Sequence, residues 1–317
     1  MTLILDRRSL LLGAGGVAAA LALPACAVRP GASRFFERHG LPVGIQLYAL
    51  GEDPQKDLEG TLAKVAAIGF RDVELPGLLG RDAATIRAAA DKTGLAISSL
   101  HLGLSGAFSV MSDAGEIARA AETLGLKQIV VPMFPLPSGL KLEAGEDIAA
   151  ALTRAVRAGG ETMWTDLAAT LNARATALKP HGLSLGYHNH SLEFMSLGTR
   201  TGWDILAAET DPALVHFEVD VGWLTSAGID PVAFFARHKG RVRQLHVKDV
   251  KKGFAPNTMM RTDPAEVGSG SVDWARVLPA AYAAGARNFY FEQEPPFTMP
   301  RIEAAAKSFA YLAALEA

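Results

Sequence analysis

The stretch Leu214-Val215-His216-Phe217-Glu218-Val219-Asp220 alternates between apolar and polar side chains along its whole length. Because successive side chains of a β-strand point to opposite faces, one face would be apolar and the other would carry His216, Glu218 and Asp220. The same alternation recurs in residues 183–190, 244–248 and 289–294. These segments predict strands whose apolar face packs on helices and whose polar face points into an enclosed interior.

On both sides of this stretch, the chain repeats a short β-rich run followed by an Ala- and Leu-rich segment of helical period. The runs predicted as strands are Val43–Tyr48, Arg71–Leu75, Ala96–His101, Gln128–Pro132, Leu183–His190, Leu214–Asp220, Val242–Lys248 and Asn288–Glu292. The segments predicted as helices include Leu58–Ile68, Ala83–Thr93, Ala114–Thr123, Thr165–Leu178, Pro231–His238, Trp274–Ala284 and Ile302–Leu315. This alternation predicts one α/β domain, a single (β/α)8 TIM barrel.

A doubly wound open sheet is the alternative architecture. It would ordinarily have a glycine-rich phosphate turn after its first strand, and Gln46-Leu47-Tyr48-Ala49-Leu50 is not such a turn. Two insertions, at residues 133–160 and 249–270, follow strands and are therefore predicted at the C-terminal mouth of the barrel. We expect Gly268-Ser269-Gly270, within the second insertion, to form a flexible closing loop.

Composition and charge exclude several classes of protein and of binding site. The chain has 317 residues, of which 49% are hydrophobic and 20% charged, so a large buried core is expected. Its formal net charge of −2 gives no electrostatic support for a nucleic-acid partner. The single cysteine, Cys26, excludes a disulfide framework and any Cys-rich zinc or iron–sulfur site.

The polar parity of the later strands predicts a metal site. Burying several charges inside a barrel is costly unless they are paired or bind a cation. Residues at the ends of four successive strands would converge on one divalent ion: His188, Asp220, His246 and Glu292. The fifth-strand ligand stays open, because His190 shares the parity of His188 and Glu193 follows closely. A network of buried ion pairs is the alternative.

Several motifs carry a resemblance to a known family. They are Val43-Gly44-Ile45-Gln46-Leu47-Tyr48, Gly186-Tyr187-His188-Asn189-His190-Ser191-Leu192-Glu193-Phe194, Phe217-Glu218-Val219-Asp220-Val221-Gly222-Trp223, His246-Val247-Lys248-Asp249 and Phe291-Glu292-Gln293-Glu294. In this order they resemble the xylose-isomerase-like TIM barrels known as sugar phosphate isomerases/epimerases. That superfamily includes ketose 3-epimerases, hydroxypyruvate isomerases, inosose dehydratases and lyases of 3-keto-glycosides.

The resemblance implies a divalent ion, most often Mn²⁺, with Co²⁺, Fe²⁺, Mg²⁺ and Zn²⁺ as alternatives. Asp220, His246 and Glu292 match three ligands of the family. The fifth strand departs from the pattern, because Gly186 and then His188 stand where epimerases have a glutamate. This departure weakens the expectation of an epimerase mechanism that uses two metal-bound glutamates.

The chemistry implied by the resemblance is proton abstraction next to a carbonyl, through an enediolate stabilised by the metal. We expect Glu292 to act as the base, and Lys248 and His101 to supply an acid or hold the oxyanion. The residues expected to bind a sugar or keto-sugar substrate are Glu74, His190, Glu193 and Trp223.

Three functions fit these observations. The first is a metal-dependent sugar isomerase or epimerase, which we take as the expectation. The second is a lyase or dehydratase that eliminates a β-substituent from a 3-keto-glycoside or inosose-like substrate. The third is a non-catalytic sugar-binding barrel.

The N-terminus predicts export. Residues 1–27 combine the pair Arg7-Arg8, an apolar run and small residues near Cys26, which is typical of a twin-arginine signal peptide. Leu23-Pro24-Ala25-Cys26 resembles a lipobox, so Cys26 would carry a lipid anchor, unless cleavage after Ala27 removes it. Residues 28–40 are predicted as a linker and 41–317 as the barrel. We therefore expect a periplasmic protein that contacts a membrane only through that anchor.

Overall fold

The computed structural model describes residues 34–137 and 140–317. In this part of the chain a closed barrel of parallel strands is formed, so the predicted fold is confirmed. The barrel strands are β1 (Gly44–Gln46), β2 (Asp72–Leu75), β3 (Ala96–His101), β4 (Gln128–Val131), β5 (Ser184–His188), β6 (Val215–Asp220), β7 (Val242–Val247) and β8 (Asn288–Phe291). Strands that follow one another along the chain pair side by side, and β1 closes the barrel against β8.

Helices cover the outside of the barrel. They are α1 (Phe35–His39), α2 (Asp53–Lys56), α3 (Leu58–Ile68), α4 (Ala83–Asp91), α5 (Ala114–Leu124), α6 (Ile148–Leu178), α7 (Gly202–Glu209), α8 (Val221–Ser226), α9 (Pro231–Arg237), α10 (Trp274–Ala284) and α11 (Arg301–Ala314). Most begin at an aspartate or threonine whose side chain accepts a hydrogen bond from the first turn.

Helix α6 is longer than the sequence predicts. It begins at Ile148, inside the segment 133–160 that was predicted to be an insertion. The side chain of Asp147 accepts a hydrogen bond from the amide of Ala150 at 2.9 Å and so starts the helix early. Gly160, with φ of 54° and ψ of −154°, interrupts the helix where the prediction placed the end of the insertion.

The alternation of side chains is confirmed in the barrel. On β6, Phe217 and Val219 are fully buried beneath the helices, whereas the polar residues of the same strand face the interior. Hydrogen bonds cross the barrel from His216 to Gln244 at 2.8 Å and from Gln244 to Ser99 at 2.8 Å. Most polar groups of the interior therefore find partners on other strands, as buried polar groups must.

The segment just before the predicted barrel boundary folds onto the barrel. Phe35 and Phe36 of α1 are buried and pack edge-on against Phe289 of β8, at ring-centroid distances of 5.8 and 5.7 Å. The predicted signal peptide, residues 1–27, lies outside the described residues. Within the described residues, none of the helices combines the length and apolar character that crossing a bilayer requires.

Loops at the C-terminal mouth are held together by polar contacts. In the second insertion, Asp249–Val250 pairs with Pro264–Ala265 as a small antiparallel sheet. The carboxylate of Asp249 accepts hydrogen bonds from the amides of Gly268 and Gly270 at 3.0 and 3.2 Å and from the indole of Trp274 at 3.1 Å. This carboxylate therefore fixes the glycine-rich segment that we expected to be a flexible closing loop.

Candidate active site

A cavity of about 320 Å³ opens at the C-terminal ends of the strands. Its polar lining includes five of the predicted site residues: His101, His188, His190, His246 and Glu292. A larger groove of about 740 Å³ lies beside α6 on the outside of the barrel, but none of the predicted site residues lines it. The inner cavity is therefore the candidate active site.

Three of the four predicted metal ligands, His188, His246 and Glu292, line this cavity, and the fourth, Asp220, is fully buried beside them. Nδ1 of His246 lies 3.2 Å from Oε2 of Glu292 and 3.8 Å from Oδ2 of Asp220. Nε2 of His188 lies 4.0 Å from the same Asp220 oxygen. When one ion holds its ligands at about 2.0–2.2 Å, neighbouring ligand atoms lie about 3–3.5 Å apart, so this arrangement is close to what a bound ion needs.

Only one of the two carboxylate oxygens of Asp220 accepts a hydrogen bond from a described residue. Its Oδ1 accepts a hydrogen bond from the amide of Trp223 at 2.8 Å, which starts α8. Its Oδ2 is buried and has no hydrogen-bond partner among the described residues. Because a buried carboxylate oxygen without a partner is costly, this atom is what a cation site would explain. Asp220, His246 and Glu292 thus form a buried cluster that could hold a metal ion, and His188 belongs to a second such cluster with His101, Glu218 and His246.

Two deeper carboxylates orient the histidines. Oε2 of Glu218 lies 3.0 Å from Nδ1 of His188, which leaves Nε2 of His188 facing Asp220. Oε2 of Glu74 lies 2.6 Å from Nε2 of His246, which leaves Nδ1 of His246 facing Asp220 and Glu292. Pairs of a carboxylate and a histidine behind a metal are common, because the carboxylate fixes both the tautomer and the ring orientation.

Burial and neighbouring charges set the protonation states here. Burial lowers the pKa of His188 well below its usual value, and the neighbouring imidazoles lower it further, so this ring is a neutral ligand. Burial would also lower the pKa of His101, but Glu74 and Glu218 raise it to about 9. Burial would raise the pKa of Glu292, but Lys248 and His246 hold it well below its usual range.

Lys248 is completely buried beside these carboxylates. Its Nζ lies 2.6 Å from Oε1 of Glu294, 3.3 Å from Oε2 of Glu292 and 3.6 Å from Oδ2 of Asp220. Burial would lower its pKa, but these three carboxylates raise it above the usual value, so the amine carries a proton at neutral pH. The site thus presents an ammonium group beside a carboxylate.

The surroundings of Lys248 are shaped to hold its stem. A Cβ at Gly222 would lie 2.6 Å from Cγ of Lys248, so only glycine leaves room at that position. The ring of Trp223 lies 4.6 Å from Nζ on the adjacent side, in a cation–π contact. These two residues of α8 therefore confine the amine to the carboxylates.

The fifth strand has no room for an additional carboxylate at position 186. A Cβ at Gly186 would lie only 2.6 Å from Nε2 of His216, whose ring is fixed by Gln244. A side chain larger than that of glycine at this position would therefore press on an imidazole of the neighbouring strand. His188, one pleat nearer the mouth, faces Glu218 and Asp220 instead.

The expected substrate-binding residues lie at different depths. His190 lines the cavity, whereas the lining does not include Glu74, Glu193 or Trp223. Glu193 is fully buried and accepts hydrogen bonds from the hydroxyl of Tyr187 at 2.7 Å and from the amide of His190 at 2.9 Å. In the described structure Glu74 and Glu193 hold other site residues in place.

Sequence reasoning assigned no role to three residues of the site. Glu218 is fully buried among three imidazoles, Gln46 donates to Glu74 at 2.9 Å, and Glu294 lines the cavity beside Lys248. The parity of the strands already placed Glu218 and Glu294 on the polar face. Only their contacts with residues from other strands distinguish them from ordinary polar wall residues.

Fold and site together define a class of barrel protein with a carboxylate–imidazole centre at the C-terminal mouth. The chain belongs to the xylose isomerase-like TIM barrel family, whose model matches residues 62–315. This finding agrees with the resemblance found in the sequence motifs.

Individual relatives and solved structures resemble the chain over most of its length. The chain is 26% identical over 309 residues to an inosose dehydratase of Geobacillus thermodenitrificans (strain NG80-2), which covers 87% of this chain and 98% of that protein. A sugar phosphate isomerase/epimerase structure from Parabacteroides distasonis ATCC 8503 superposes with a TM-score of 0.67 at 22% identity, covering 86% of this chain and 98% of the other. A xylose isomerase-like TIM barrel protein from Mycobacterium smegmatis, in complex with magnesium, gives a TM-score of 0.60 at 16% identity and covers 87% and 96% of the two chains.

Proposed function

We propose that the protein is a metal-dependent lyase of the dehydratase type, acting on an inosose-like keto-polyol or a 3-keto-glycoside. The observation that carries this proposal is the buried pair of Glu292 and Lys248, a carboxylate and an ammonium 3.3 Å apart. A base beside an acid suits elimination, in which one group takes a proton and the other gives one; Glu292 lines the cavity and Lys248 is fully buried next to it.

We propose that His188, Asp220, His246 and Glu292 hold the ion. Imidazole and carboxylate ligands without a thiolate favour Mn²⁺, Co²⁺, Fe²⁺ or Zn²⁺, and we expect Mn²⁺. The orphaned Oδ2 of Asp220 supports this ligand set, as do the carboxylates that orient both histidines. A divalent ion there would supply Lewis acidity, which lowers the cost of negative charge developing on a substrate oxygen.

In the elimination, Glu292 removes the proton from the carbon next to the carbonyl. The electron pair of that C–H bond forms a carbon–carbon double bond, and the bond from the β-carbon to its oxygen substituent breaks. Lys248 gives its proton to the departing oxygen, so charge and atoms balance. Both residues enter in the required state, because Lys248 and His246 lower the pKa of Glu292, while Asp220, Glu292 and Glu294 raise the pKa of Lys248.

We propose that His101 binds a substrate oxygen. Its Nε2 is held by Glu74 and Glu218 at 3.2 and 2.8 Å. Its Nδ1, 3.5 Å from Nε2 of Gln46, is the nitrogen left for a substrate in the cavity that the ring lines. Since these carboxylates favour the protonated ring, it would donate a hydrogen bond to a substrate carbonyl or hydroxyl.

The crowding at Gly186 favours elimination over epimerisation. An epimerase that works through two carboxylates needs them on opposite faces of the substrate carbon, and His216 occupies the space next to position 186. An isomerase or epimerase that returns the proton through Lys248 or His101 is the competing function.

Incubation with an inosose and with 3-keto-glycosides in deuterated water, followed by NMR, separates the candidates. We expect release of water or of the glycosidic group together with an unsaturated ketone, at a rate proportional to metal occupancy. Deuterium incorporation without loss of a group would instead assign an isomerase or epimerase. If the metal-loaded protein bound the sugar without turnover or deuterium exchange, a non-catalytic sugar-binding barrel would be the remaining function.

We further propose that the protein is exported by the twin-arginine route to the periplasm, with a lipid anchor at Cys26. The support is the arrangement of charged, apolar and small residues in the first 27 residues. The test is acyl labelling of the wild type and of Cys26→Ser. Labelling that persists in Cys26→Ser would show that the lipid is not attached at Cys26 and would refute the proposed anchor.

A further inference from the structure

The N-terminal opening of the barrel, at the end opposite the candidate active site, forms a basic cavity of about 510 Å³. We call it the lower cavity and define it by Lys127, Gln128, Ser184, Arg243, Arg287 and Asn288. Three of these residues are the first of their strands, Gln128 in β4, Ser184 in β5 and Asn288 in β8. An adjoining depression of about 260 Å³ shares Ser184 and Arg243 and adds Lys179.

In the part of the chain that the structure describes, no carboxylate lines either depression. Among the described residues, the ion pairs of lysine and arginine involve other cations and none of Lys127, Lys179, Arg243 and Arg287. Positive charges gathered in one concave place repel one another, and the net charge of −2 shows that the gathering does not follow from a basic protein.

The floor of the lower cavity is neutral and rigid. Nε2 of Gln128 donates to Oδ1 of Asn288 at 2.9 Å across the barrel axis, and Nδ2 of Asn288 donates to Asp72 at 3.2 Å. The carboxylate of Asp72 is turned inward, because it also accepts the hydroxyl of Ser98 at 2.7 Å. The lining itself therefore carries no negative charge, and the carboxylate of Asp72 lies behind Asn288, where Asn288 and Ser98 donate hydrogen bonds to it.

Arg287 is already held in place by its neighbours, and the positive charges of this opening also act on a side chain inside the barrel. Arg287 stacks on the ring of Tyr282 at 4.0 Å and donates to two backbone carbonyls, so little freedom is lost when it binds an anion. Burial, together with the charges of Arg243 and Arg241, lowers the pKa of His216 to about 4.

We propose that the lower cavity binds a tetrahedral oxyanion of the phosphate or sulfate class, free or at the end of a larger molecule. Guanidinium groups suit such anions, since they donate paired hydrogen bonds, and the neutral amides of the floor add donors without charge. This site is separate from the proposed metal centre and independent of the reaction proposed there.

Isothermal titration with inorganic phosphate, against sodium chloride at matched ionic strength, tests the proposal. Arg243→Gln removes an exposed side chain that forms no hydrogen bond or ion pair among the described residues, so it should weaken phosphate binding about tenfold or more, and Lys127→Gln should weaken it in the same direction. Arg276→Gln is the matched control, because this exposed arginine of α10 lines neither depression. Circular dichroism melting confirms that each variant is folded.

Three results would overturn the site. Phosphate could bind no better than chloride, Arg243→Gln and Arg276→Gln could weaken binding equally, or binding could disappear in Lys248→Met and persist in Arg243→Gln, which would place the anion at the mouth. A second arm distinguishes the sources of the anion, using vesicles with and without phosphatidylglycerol. Binding to the anionic vesicles that is lost in Arg243→Gln would identify a lipid headgroup as the source.

Discussion

Replacing Lys248 by methionine removes the ammonium group and keeps most of the volume of the side chain. The stem would still fit against Gly222 and the ring of Trp223, so the surrounding backbone has no reason to move. What is lost is the cation 3.3 Å from Glu292 and 3.6 Å from Asp220. The variant therefore tests the acid without creating a large cavity.

The expected magnitude follows from the burial of Lys248. Loss of a general acid lowers turnover by about 100-fold or more. Without metal, Glu292 and Asp220 would keep only His246 as a cationic neighbour, at 3.2 and 3.8 Å, so the free energy of unfolding should fall by at most about 3–5 kcal/mol. With a divalent ion bound, both carboxylates keep a cationic partner, so the loss of stability should be smaller and metal affinity should not decrease.

The assay measures metal content, melting temperature and turnover on one metal-loaded preparation. Lys251→Met is the matched control, because Lys251 pairs with Asp263 on the surface and both side chains are more than two-fifths exposed. An unchanged rate per folded molecule in Lys248→Met would refute the catalytic assignment and leave Lys248 as a structural cation of the wall.

Three further predictions concern other parts of the chain. Gly186→Ala should destabilise the protein by about 1–3 kcal/mol, because its Cβ would press on His216, and a melting temperature equal to wild type would contradict this crowding. Burial raises the pKa of Asp72 to about 6, so its contribution to stability is full below about pH 4 and is lost as the pH rises through 6, a change of about 3 kcal/mol. Asp72→Asn should therefore be relatively more stable against wild type at pH 7.5 than at pH 4.5 in thermal melts, and a constant difference would refute the shift. Arg7→Lys with Arg8→Lys should block export, measured by periplasmic fractionation, and normal accumulation would indicate a general secretory signal.

Much of the fold follows from local periodicity. The alternation in 214–220 and its repeats predict the strands to within a few residues. Side chains that point outward pack on helices and are apolar, whereas those that point into this barrel are polar, so the alternation marks where a strand begins and ends. The early start of α6 was missed, because the prolines, glycines and acidic residues before it are typical of loops. The decisive signal was the cap at Asp147.

The site could be predicted only in part. Strand parity brought His188, Asp220, His246 and Glu292 to one end of the barrel, and the structure places all four there. Parity does not say which ring nitrogen faces which carboxylate, since that depends on contacts between strands far apart in the chain. The orienting role of Glu218 and the crowding by His216 at Gly186 both depend on such contacts.

Depth within the barrel was the other unpredictable quantity. The sequence placed Glu74 at the end of a strand and Glu193 close to the fifth-strand histidines, so both were expected to bind substrate. Both are fully buried and hold other residues rather than line the cavity. How far a strand end lies below the mouth depends on the stagger between neighbouring strands, including the register shift after Val73. A sequence pattern alone carries no measure of that stagger.

The divalent-ion site is the central claim, and elemental analysis after purification and dialysis against the metal tests it most directly. We predict about one divalent ion per chain in the wild type and less than about a tenth of that in Asp220→Ala and His246→Ala, because each change leaves an incomplete ligand set. Both variants should still show the circular dichroism spectrum of the folded barrel. Full metal occupancy in both folded variants, or no bound metal in the wild type, would contradict the site.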